Sequence, residues 1–318
     1  MSRKRSTRRW LMVLLGLIII IALVMLLIRA CTRETPPEPQ PPPRTRPTAQ
    51  SADCPDVEVV VIPGTWESRA DDDPYQPHAN PRSLMLRVSS ALQQRFPANR
   101  ARVYTIPYMA QFRNPTNLAD HQADYDVSRR QGYARTAGHI TALNKRCPIT
   151  TFLVMGFSQG AVIAGDVASI IGNGRGIIDP DDQDLVVGVG LIADGRRVEG
   201  QQNNIGPNPP GQGAEVALGP ILANRFPGIS MNGKRAGGFG TLRDRVQGIC
   251  APGDLICDSP TITNPLRAIG QLAGAINNPV HAMYATPRYW EDNGATATQW
   301  MFAYAVRTID AAPHPKHF

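Results

Sequence analysis

The sequence TFLVMGFSQGAVIAG, at residues 151–165, decides the fold of this chain. Its apolar start at 152–155 is long enough for a buried strand, and apolar residues resume after the turn in a helical pattern. The Gly-x-Ser-x-Gly turn between them, at 156–160, is typical of a nucleophile elbow, in which glycines allow the chain to turn sharply. The stretch therefore predicts Ser158 as a nucleophile. It also predicts the amide of Gln159, at the helix start, as a donor to an oxyanion.

An ordinary turn between a strand and a helix, with the serine as a helix cap, is the alternative explanation of these residues. The five-residue motif alone is a weak signal in a chain with 28 glycines. The strand before the motif and the helix after it favour the nucleophile.

Outward from the elbow, strands and helices alternate. Apolar runs predict three further strands, at 56–62, 102–108 and 185–192. Between them, Asn80-Pro81 predicts a helix start, and 125–146 has the pattern of a long amphipathic helix. Such alternation predicts the α/β class, with a mainly parallel central sheet flanked by helices on both faces.

Residues 199–240 interrupt this pattern because they are rich in glycine, asparagine and proline, and only 218–226 has a helical pattern. A loop of this length is usually functional or mobile. Two interpretations remain open: a surface excursion that serves as a lid or substrate wall, and a disordered insertion.

The composition limits the classes of partner. Of the 318 residues, 42% are hydrophobic and 19% are charged, which suits a globular protein with a sizeable core. The formal net charge of +7 comes from the first 33 residues, which contain no acid. The cations there are Arg3, Lys4, Arg5, Arg8, Arg9, Arg29 and Arg33. Because the rest of the chain is formally neutral, no nucleic-acid partner is expected.

The N-terminal region has the features of a membrane anchor. Residues 10–28 are uncharged and apolar, and at about 1.5 Å per residue they nearly span a hydrocarbon core of about 30 Å. Five cations precede them, so we expect a cytoplasmic basic tail at 1–9 and one transmembrane helix at 10–30, with the remainder outside the plasma membrane. A cleaved signal peptide and a lipid on Cys31 are the alternatives, which would give a secreted or a lipid-anchored form.

A proline-rich segment follows at 31–52 and predicts an extended, semi-rigid linker that holds the folded part off the membrane. We expect the folded domain to cover 53–312 and the last residues, 313–318, to form a mobile tail.

Four cysteines lie in the expected extracytoplasmic domain, where disulfides persist. Cys54 and Cys147 precede the first strand and the elbow strand, and neighbouring parallel strands would bring them together. Cys250 and Cys257 would close a small loop that contains Asp254. We therefore predict the bridges Cys54–Cys147 and Cys250–Cys257, although four cysteines allow three pairings. A zinc site is the competing interpretation, but no Cys-x2-Cys spacing or histidine partner supports it, and no metal is expected.

An activated serine needs a base and a carboxylate that orients it, and in the hydrolase order both follow the serine. The histidines after Ser158 are His281, His314 and His317. The last two fall in the expected mobile tail, so His281, in a loop between two helices, is the predicted base. Its alternative is an ordinary surface histidine.

Among the acids, Asp254 is preferred because a disulfide-closed loop would fix its position. Asp258 and Asp194 are the reserves. Without the flanking cysteines, Asp254 would be interpreted as a solvated turn residue.

Together, Gly-Phe-Ser158-Gln-Gly, Cys250-x3-Asp254-x2-Cys257 and His281 resemble the cutinase family, especially its cutinase-like branch in mycolic-acid-containing actinobacteria. The resemblance covers about 53–311. It implies an α/β-hydrolase fold, a Ser-Asp-His triad and no cofactor.

The same resemblance implies that Thr65, in the loop after the first strand, supplies the second oxyanion donor. The departures from the family pattern are the N-terminal anchor, the 199–240 segment and three consecutive acids at 71–73. They put cutin as the substrate in doubt, because an anchored enzyme meets envelope lipids first.

The sequence thus predicts a serine esterase or lipase, acting as a monomer on acyl esters of lipids, phospholipids or thioesters in the cell envelope. An acyltransferase that passes the acyl group to an envelope sugar or lipid is the first alternative. A non-catalytic envelope protein that binds lipid in the same pocket is the second.

Overall fold

The computed structural model describes residues 14–26, 45–114, 117, 119–222, 228–229, 231–261, 264, 267, 270–271, 274–275 and 278–318. The chain divides into two units, Met1–Thr45 and Arg46–Phe318.

In the first unit, residues 14–26 form a helix, α1, whose apolar side chains are exposed. At about 1.5 Å per residue this stretch measures roughly 20 Å. Over the described residues no helix is both long and apolar enough to cross a membrane. The remainder of the predicted anchor, 10–13 and 27–30, lies outside the described residues, as do the tail at 1–9 and most of the linker. The anchor therefore stays a prediction.

The second unit is an α/β fold. Its strands are β1 Ala49–Gln50, β2 Val57–Ile62, β3 Ala101–Thr105, β4 Thr151–Phe157, β5 Val186–Ile192, β6 Asn203–Ile205, β7 Val246–Ile249 and β8 Lys316–His317. Its α-helices are α2 Leu84–Arg95, α3 Tyr125–Arg146, α4 Gln159–Gly172, α5 Ala214–Leu222 and α6 Ala297–Ala311.

Six strands form one sheet in the order β3-β2-β4-β5-β7-β6, and every neighbouring pair is parallel. Helices α3 and α4 pack together, as do α2 and α6. Two clusters of buried apolar residues result, one containing Ile140 and Ile163, the other Val88 and Met301. The predicted mainly parallel sheet flanked by helices is confirmed.

The register places the carboxyl ends of the central strands at one edge. Ile62 lies beside Gly156, Phe157 beside Ile192, and Ile192 beside Ile249. In open parallel sheets this edge is where ligands bind. The loops that leave β2, β4 and β7 therefore start side by side.

The start of α2 differs from the prediction at Asn80-Pro81. The helix begins at Leu84, where the Ser83 side chain caps it by accepting a hydrogen bond from the amide of Leu86 at 3.1 Å. The Asn80 side chain instead accepts from the amide of Arg82 and donates to the carbonyl of Trp66. The asparagine-proline pair thus forms a turn that precedes the helix.

The described part of 199–240 is packed into the second unit. It contributes β6 and α5, and it carries Arg235, which is 4% exposed and pairs with Asp194 and Asp166. For this part a disordered insertion is wrong. The predicted helix at 218–226 starts earlier, at Ala214, and 223–227 lie outside the described residues. A role as a lid stays a prediction.

The two ends of the second unit extend beyond the predicted domain, 53–312. Strands β1 and β8 pair in parallel, and the amide of Phe318 donates to the carbonyl of Gln50 at 3.0 Å. His317 Nε2 lies 2.7 Å from Asp56 Oδ1. The end of the predicted linker and the tail at 313–318, expected to be mobile, are therefore structured parts of the fold.

Candidate active site

Ser158 lies at the sharp turn between β4 and α4, and its backbone has φ 55° and ψ −122°. A non-glycine residue with positive φ is strained, and such strain clusters at functional sites. The turn is tight: a Cβ on Gly156 would lie 2.2 Å from the carbonyl oxygen of Gly160, and one on Gly160 would lie 2.1 Å from that of Ile62. Only glycine fits at either position, so the motif is required by packing.

His281 belongs to a short 3-10 helix, Pro279–Ala282, whose cap is the side chain of Asn278. Its Nε2 atom lies 2.7 Å from Ser158 Oγ. The imidazole stacks on the ring of Phe157, with centroids 4.9 Å apart. The residue that precedes the serine therefore also holds the histidine ring in place.

Asp254 lies in the loop closed by Cys250–Cys257 and is fully buried. His281 Nδ1 is 2.9 Å from its Oδ2 atom and 3.1 Å from Oδ1. Burial alone would raise the pKa of the Asp254 carboxyl, but the charge and hydrogen bond of His281 and two further hydrogen bonds keep this pKa below its ordinary value. The aspartate therefore stays ionised and fixes the Nδ1–H tautomer of the histidine, which leaves Nε2 free to accept a proton.

Tyr284 is a site residue that the sequence analysis did not identify. Its hydroxyl donates to Asp254 Oδ2 at 2.7 Å and accepts from the amide of Ala251 at 3.0 Å. The phenol is 1% exposed, and burial raises its pKa well above the ordinary value. Its position three residues after His281 was the only feature of the sequence that could have indicated a place in the site.

The oxyanion side of the site involves Gln159 and Thr65. Gln159 is the first residue of α4, so its amide has no acceptor within the helix. Thr65 is half-buried in the loop after β2. This loop packs closely on the elbow, because a Cβ on the adjacent Gly64 would lie 2.6 Å from Cδ1 of Phe157.

A buried hydrogen-bond network fixes the side chain of Gln159. Ser128 Oγ donates to Gln159 Oε1 at 2.8 Å and accepts from the amide of Gln111 at 2.9 Å. Gln159 Nε2 in turn donates to the carbonyl of Gln111 at 3.3 Å. Ser128 lies in the first turn of α3, and nothing in the sequence marked it as a site residue.

Glu67 hydrogen-bonds to the loop that carries Thr65. Its carboxylate accepts from the amide of Gly64 at 3.0 Å and from the amide of Leu84, at the start of α2, at 2.6 Å. Burial raises the pKa of Glu67, and the backbone hydrogen bonds counter it. The loop that carries Thr65 is thus tied to a helix terminus.

The reserve acids have other partners. Asp258 accepts from the amides of Gly211 and Gly253 at 2.9 and 2.8 Å. Asp194 pairs with Arg235 at 2.6 Å. The structure therefore brings Ser158 and His281 together with Asp254 and with neither reserve.

Both predicted disulfides are confirmed. Cys54 bonds to Cys147 and Cys250 bonds to Cys257. The first bridge joins the segments that enter β2 and β4, as their parallel pairing requires. Within the described residues, no group of three histidine, cysteine, aspartate or glutamate side chains is placed to hold a metal ion.

Comparison with known proteins identifies relatives over most of the chain. The sequence profile of the cutinase family matches residues 53–285. A carboxylesterase Culp6 homologue from Corynebacterium glutamicum is 46% identical over 281 residues, which cover 86% of this chain and 88% of that protein. The catalytic core domain of acetyl xylan esterase from Trichoderma reesei has the same fold, with a TM-score of 0.51 at 18% identity over 82% of this chain and 100% of that one.

Proposed function

Because the chain belongs to the cutinase family and is a carboxylic ester hydrolase, we propose that it is a serine esterase that cleaves acyl esters through an acyl-enzyme on Ser158. The supporting observation is the contact of 2.7 Å between Ser158 Oγ and His281 Nε2, with Asp254 on the other ring nitrogen. This is the arrangement of a Ser-His-Asp triad.

In the proposed mechanism, His281 Nε2 takes the proton of Ser158 Oγ as that oxygen attacks the ester carbonyl. Asp254 stabilises the imidazolium that forms, and it remains ionised because its pKa is held low. The imidazolium then gives its proton to the leaving alkoxide, and the acyl group stays on the serine. Water, deprotonated by the same histidine, then attacks the acyl carbonyl. The bond to Ser158 Oγ breaks, the imidazolium returns the proton to Oγ, and the carboxylic acid is released.

The negative charge on the tetrahedral intermediate needs donors. The amide of Gln159 and the amide and hydroxyl of Thr65 are the proposed donors, since both residues lie next to the elbow. Loss of one such donor typically costs about 3 kcal/mol, or roughly 10²-fold in rate.

We expect Ser158→Ala to lower the kcat for p-nitrophenyl butyrate by about 10⁴-fold or more, because the covalent route is lost. A fluorophosphonate should label the wild type on Ser158 and leave the variant unlabelled. Ser169→Ala, near the other end of α4, is the matched control and should keep both properties. Unchanged turnover in Ser158→Ala, with the disulfides intact, would contradict the proposal.

The acyl acceptor is a separate part of the proposal. Hydrolysis predicts free fatty acid as the only acyl product when trehalose or another sugar is supplied. Formation of acylated sugar at the expense of fatty acid would instead identify an acyltransferase.

The proposed location is the outer side of the plasma membrane, with 10–30 as the anchor. The uncharged apolar run, the preceding cations and the exposed apolar side chains of α1 support it. An external protease should remove the Arg46–Phe318 unit from intact spheroplasts, while deletion of 1–30 should abolish membrane retention. Protection from the protease until the cells are lysed would contradict this orientation.

A further inference from the structure

Trp66 lies beside the elbow. It follows Thr65 in the loop after β2, and its amide donates to the carbonyl of Ala110 at 2.6 Å. The next residue, Gln111, accepts a hydrogen bond from the side chain of Gln159, the neighbour of Ser158. Trp66 is therefore linked to both proposed oxyanion donors. It is bonded directly to Thr65, and the segment of Ala110 and Gln111 connects it to Gln159.

The backbone of Trp66 is strained and is held by several contacts. Its φ is 65°, in the left-handed region that bulky residues avoid, and its partner Ala110 also has a positive φ, 49°. The carbonyl of Trp66 accepts from the Asn80 side chain at 3.1 Å, and the indole Nε1 donates to Gln122 Oε1. Such a conformation persists only where the surroundings impose it, and it is often found at ligand sites.

About half of Trp66, 53%, is exposed, so the indole is only partly used for packing. In the described part of the second unit, the other exposed large apolar residues are Tyr75, Val127 and Phe318. The Nε1 bond to Gln122 satisfies the polar end of the ring, which leaves an apolar surface facing solvent beside the site. A strained and exposed aromatic residue contributes no core stability that would explain it.

We propose that the indole of Trp66 contacts the acyl chain of the substrate and makes this residue a determinant of chain-length specificity. The inference rests on the proposed function, because the acyl carbonyl must lie between Gln159 and Thr65 when Ser158 attacks it. In this proposed arrangement the ring, which belongs to the residue directly after Thr65, contacts a chain of several methylenes, and an acetyl group is too short to do so.

The test is the chain-length preference of the full-length protein on two soluble esters, p-nitrophenyl acetate and p-nitrophenyl octanoate, each below its micelle concentration. Trp66→Ala should lower kcat/KM for the octanoate about tenfold and that for the acetate less than twofold, since only the longer chain loses an apolar contact. Trp66→Phe should keep most of the preference, because a smaller aromatic ring still covers the chain.

Tyr75→Ala is the matched control. Tyr75 is exposed to a similar degree, 45%, but packs edge-on against Tyr104 in β3. Its removal should leave the ratio of the two kcat/KM values unchanged. An equal fall of the ratio in this variant would overturn the specific role of Trp66.

The remaining outcomes separate the two proposals. If Trp66→Ala lowers turnover of both esters equally, the residue only shapes the Thr65 loop and the inference is wrong. If the ratio is unchanged and only esters presented in vesicles are cleaved more slowly, Trp66 contacts a membrane and the inference is also wrong. Absence of all ester turnover by the wild type would refute the proposed function itself.

Discussion

The hydrogen bonds around Asp254 show how a buried carboxylate is kept ionised. Four contacts reach its two oxygens. The Tyr284 hydroxyl and the Ile256 amide make one each, and His281 Nδ1 contacts both oxygens. Each stabilises the charged form and so opposes the effect of burial on the pKa. Removing one of these hydrogen bonds should therefore change how the stability of the fold depends on pH.

We expect Tyr284→Phe to move the midpoint of acid-induced unfolding to higher pH. The Tyr284 hydrogen bond lowers the pKa of Asp254, so its loss raises that pKa, and protonation then occurs earlier as the pH falls. A carboxyl with a depressed folded pKa stabilises the fold above its unfolded pKa, about 3.9, and loses this contribution as the pH falls through the folded value.

Tyr304→Phe is the control for this prediction. It also removes a hydroxyl hydrogen bond, at 3.2 Å to the carbonyl of Arg245, but at the opposite edge of the sheet. Each variant should lose about 1 kcal/mol of stability or somewhat more. An acid-unfolding midpoint that shifts equally in both variants would show that Tyr284 does not act on Asp254.

At the residue scale, the sequence predicted a site residue where a reactive side chain lies within a recognisable motif. Ser158 and Asp254 are marked by neighbours, glycines in one case and cysteines in the other. Tyr284, Glu67 and Ser128 are not, because their roles depend on partners brought close only by the fold: Tyr284 reaches back 30 positions to Asp254, and Ser128 reaches 31 positions to Gln159.

At the scale of elements, the elbow joins α4 to β2 as well as to β4. The carbonyls of Ile62 and Pro63 occupy the space where a side chain on Gly160 would lie. The sharp turn and the close approach of the helix to the neighbouring strand are therefore one packing requirement.

We expect Gly160→Ala to destabilise the fold by about 3 kcal/mol or more and to reduce labelling of Ser158, because its Cβ would lie 2.1 and 2.4 Å from backbone oxygens that cannot move independently. Gly138→Ala is the matched control. Gly138 lies in α3 with nothing within 4 Å of the new Cβ, so this change should stabilise by roughly 0.5–1 kcal/mol. Thermal unfolding measures both changes, and equal melting temperatures would contradict the packing argument.

Elements with long periodic patterns were predictable, and short ones were not. Helix α3 spans Tyr125–Arg146, as its pattern predicts, and β2 agrees with its prediction to within one residue. Strands β6 and β7 were missed because each is short and rich in asparagine or glycine, with no apolar run. β7 forms a strand because the edge of β5 offers it hydrogen-bond partners, and β6 in turn pairs with β7. Both pairings depend on the assembled sheet and cannot be read from the local sequence.

At the scale of the whole molecule, the two ends of the Arg46–Phe318 unit are joined. Asp56 is the centre of this junction, since Arg100, His314 and His317 all contact its carboxylate. The hydrogen bond to Asp56 raises the pKa of His317 above 6.5. The pairing of β1 with β8 thus depends on a histidine whose pKa is raised by its partner.

We expect this junction to loosen as the pH rises. A histidine with a raised folded pKa stabilises the fold fully below its unfolded pKa, about 6.5, and the contribution is lost as the pH rises through the folded value. Hydrogen exchange of the Ala52 and Phe318 amides, corrected for intrinsic rates, should therefore become less protected between pH 6 and pH 9. In His317→Gln the protection should be lower at pH 6 and nearly independent of pH. A pH dependence that persists in this variant would contradict the role of His317.

The pairing of β1 with β8 and the parallel sheet join parts of the chain that are synthesised at different times. Ribosomes make the chain from its amino end, so the hydroxyl at 158 exists first, the carboxylate at 254 and the imidazole at 281 follow, and the closing strand at 316–317 comes last. A nascent chain therefore lacks the complete proposed triad until residue 281 has been added. A chain synthesised only as far as residue 254 would have the nucleophile and the carboxylate of the proposed mechanism but no base between them.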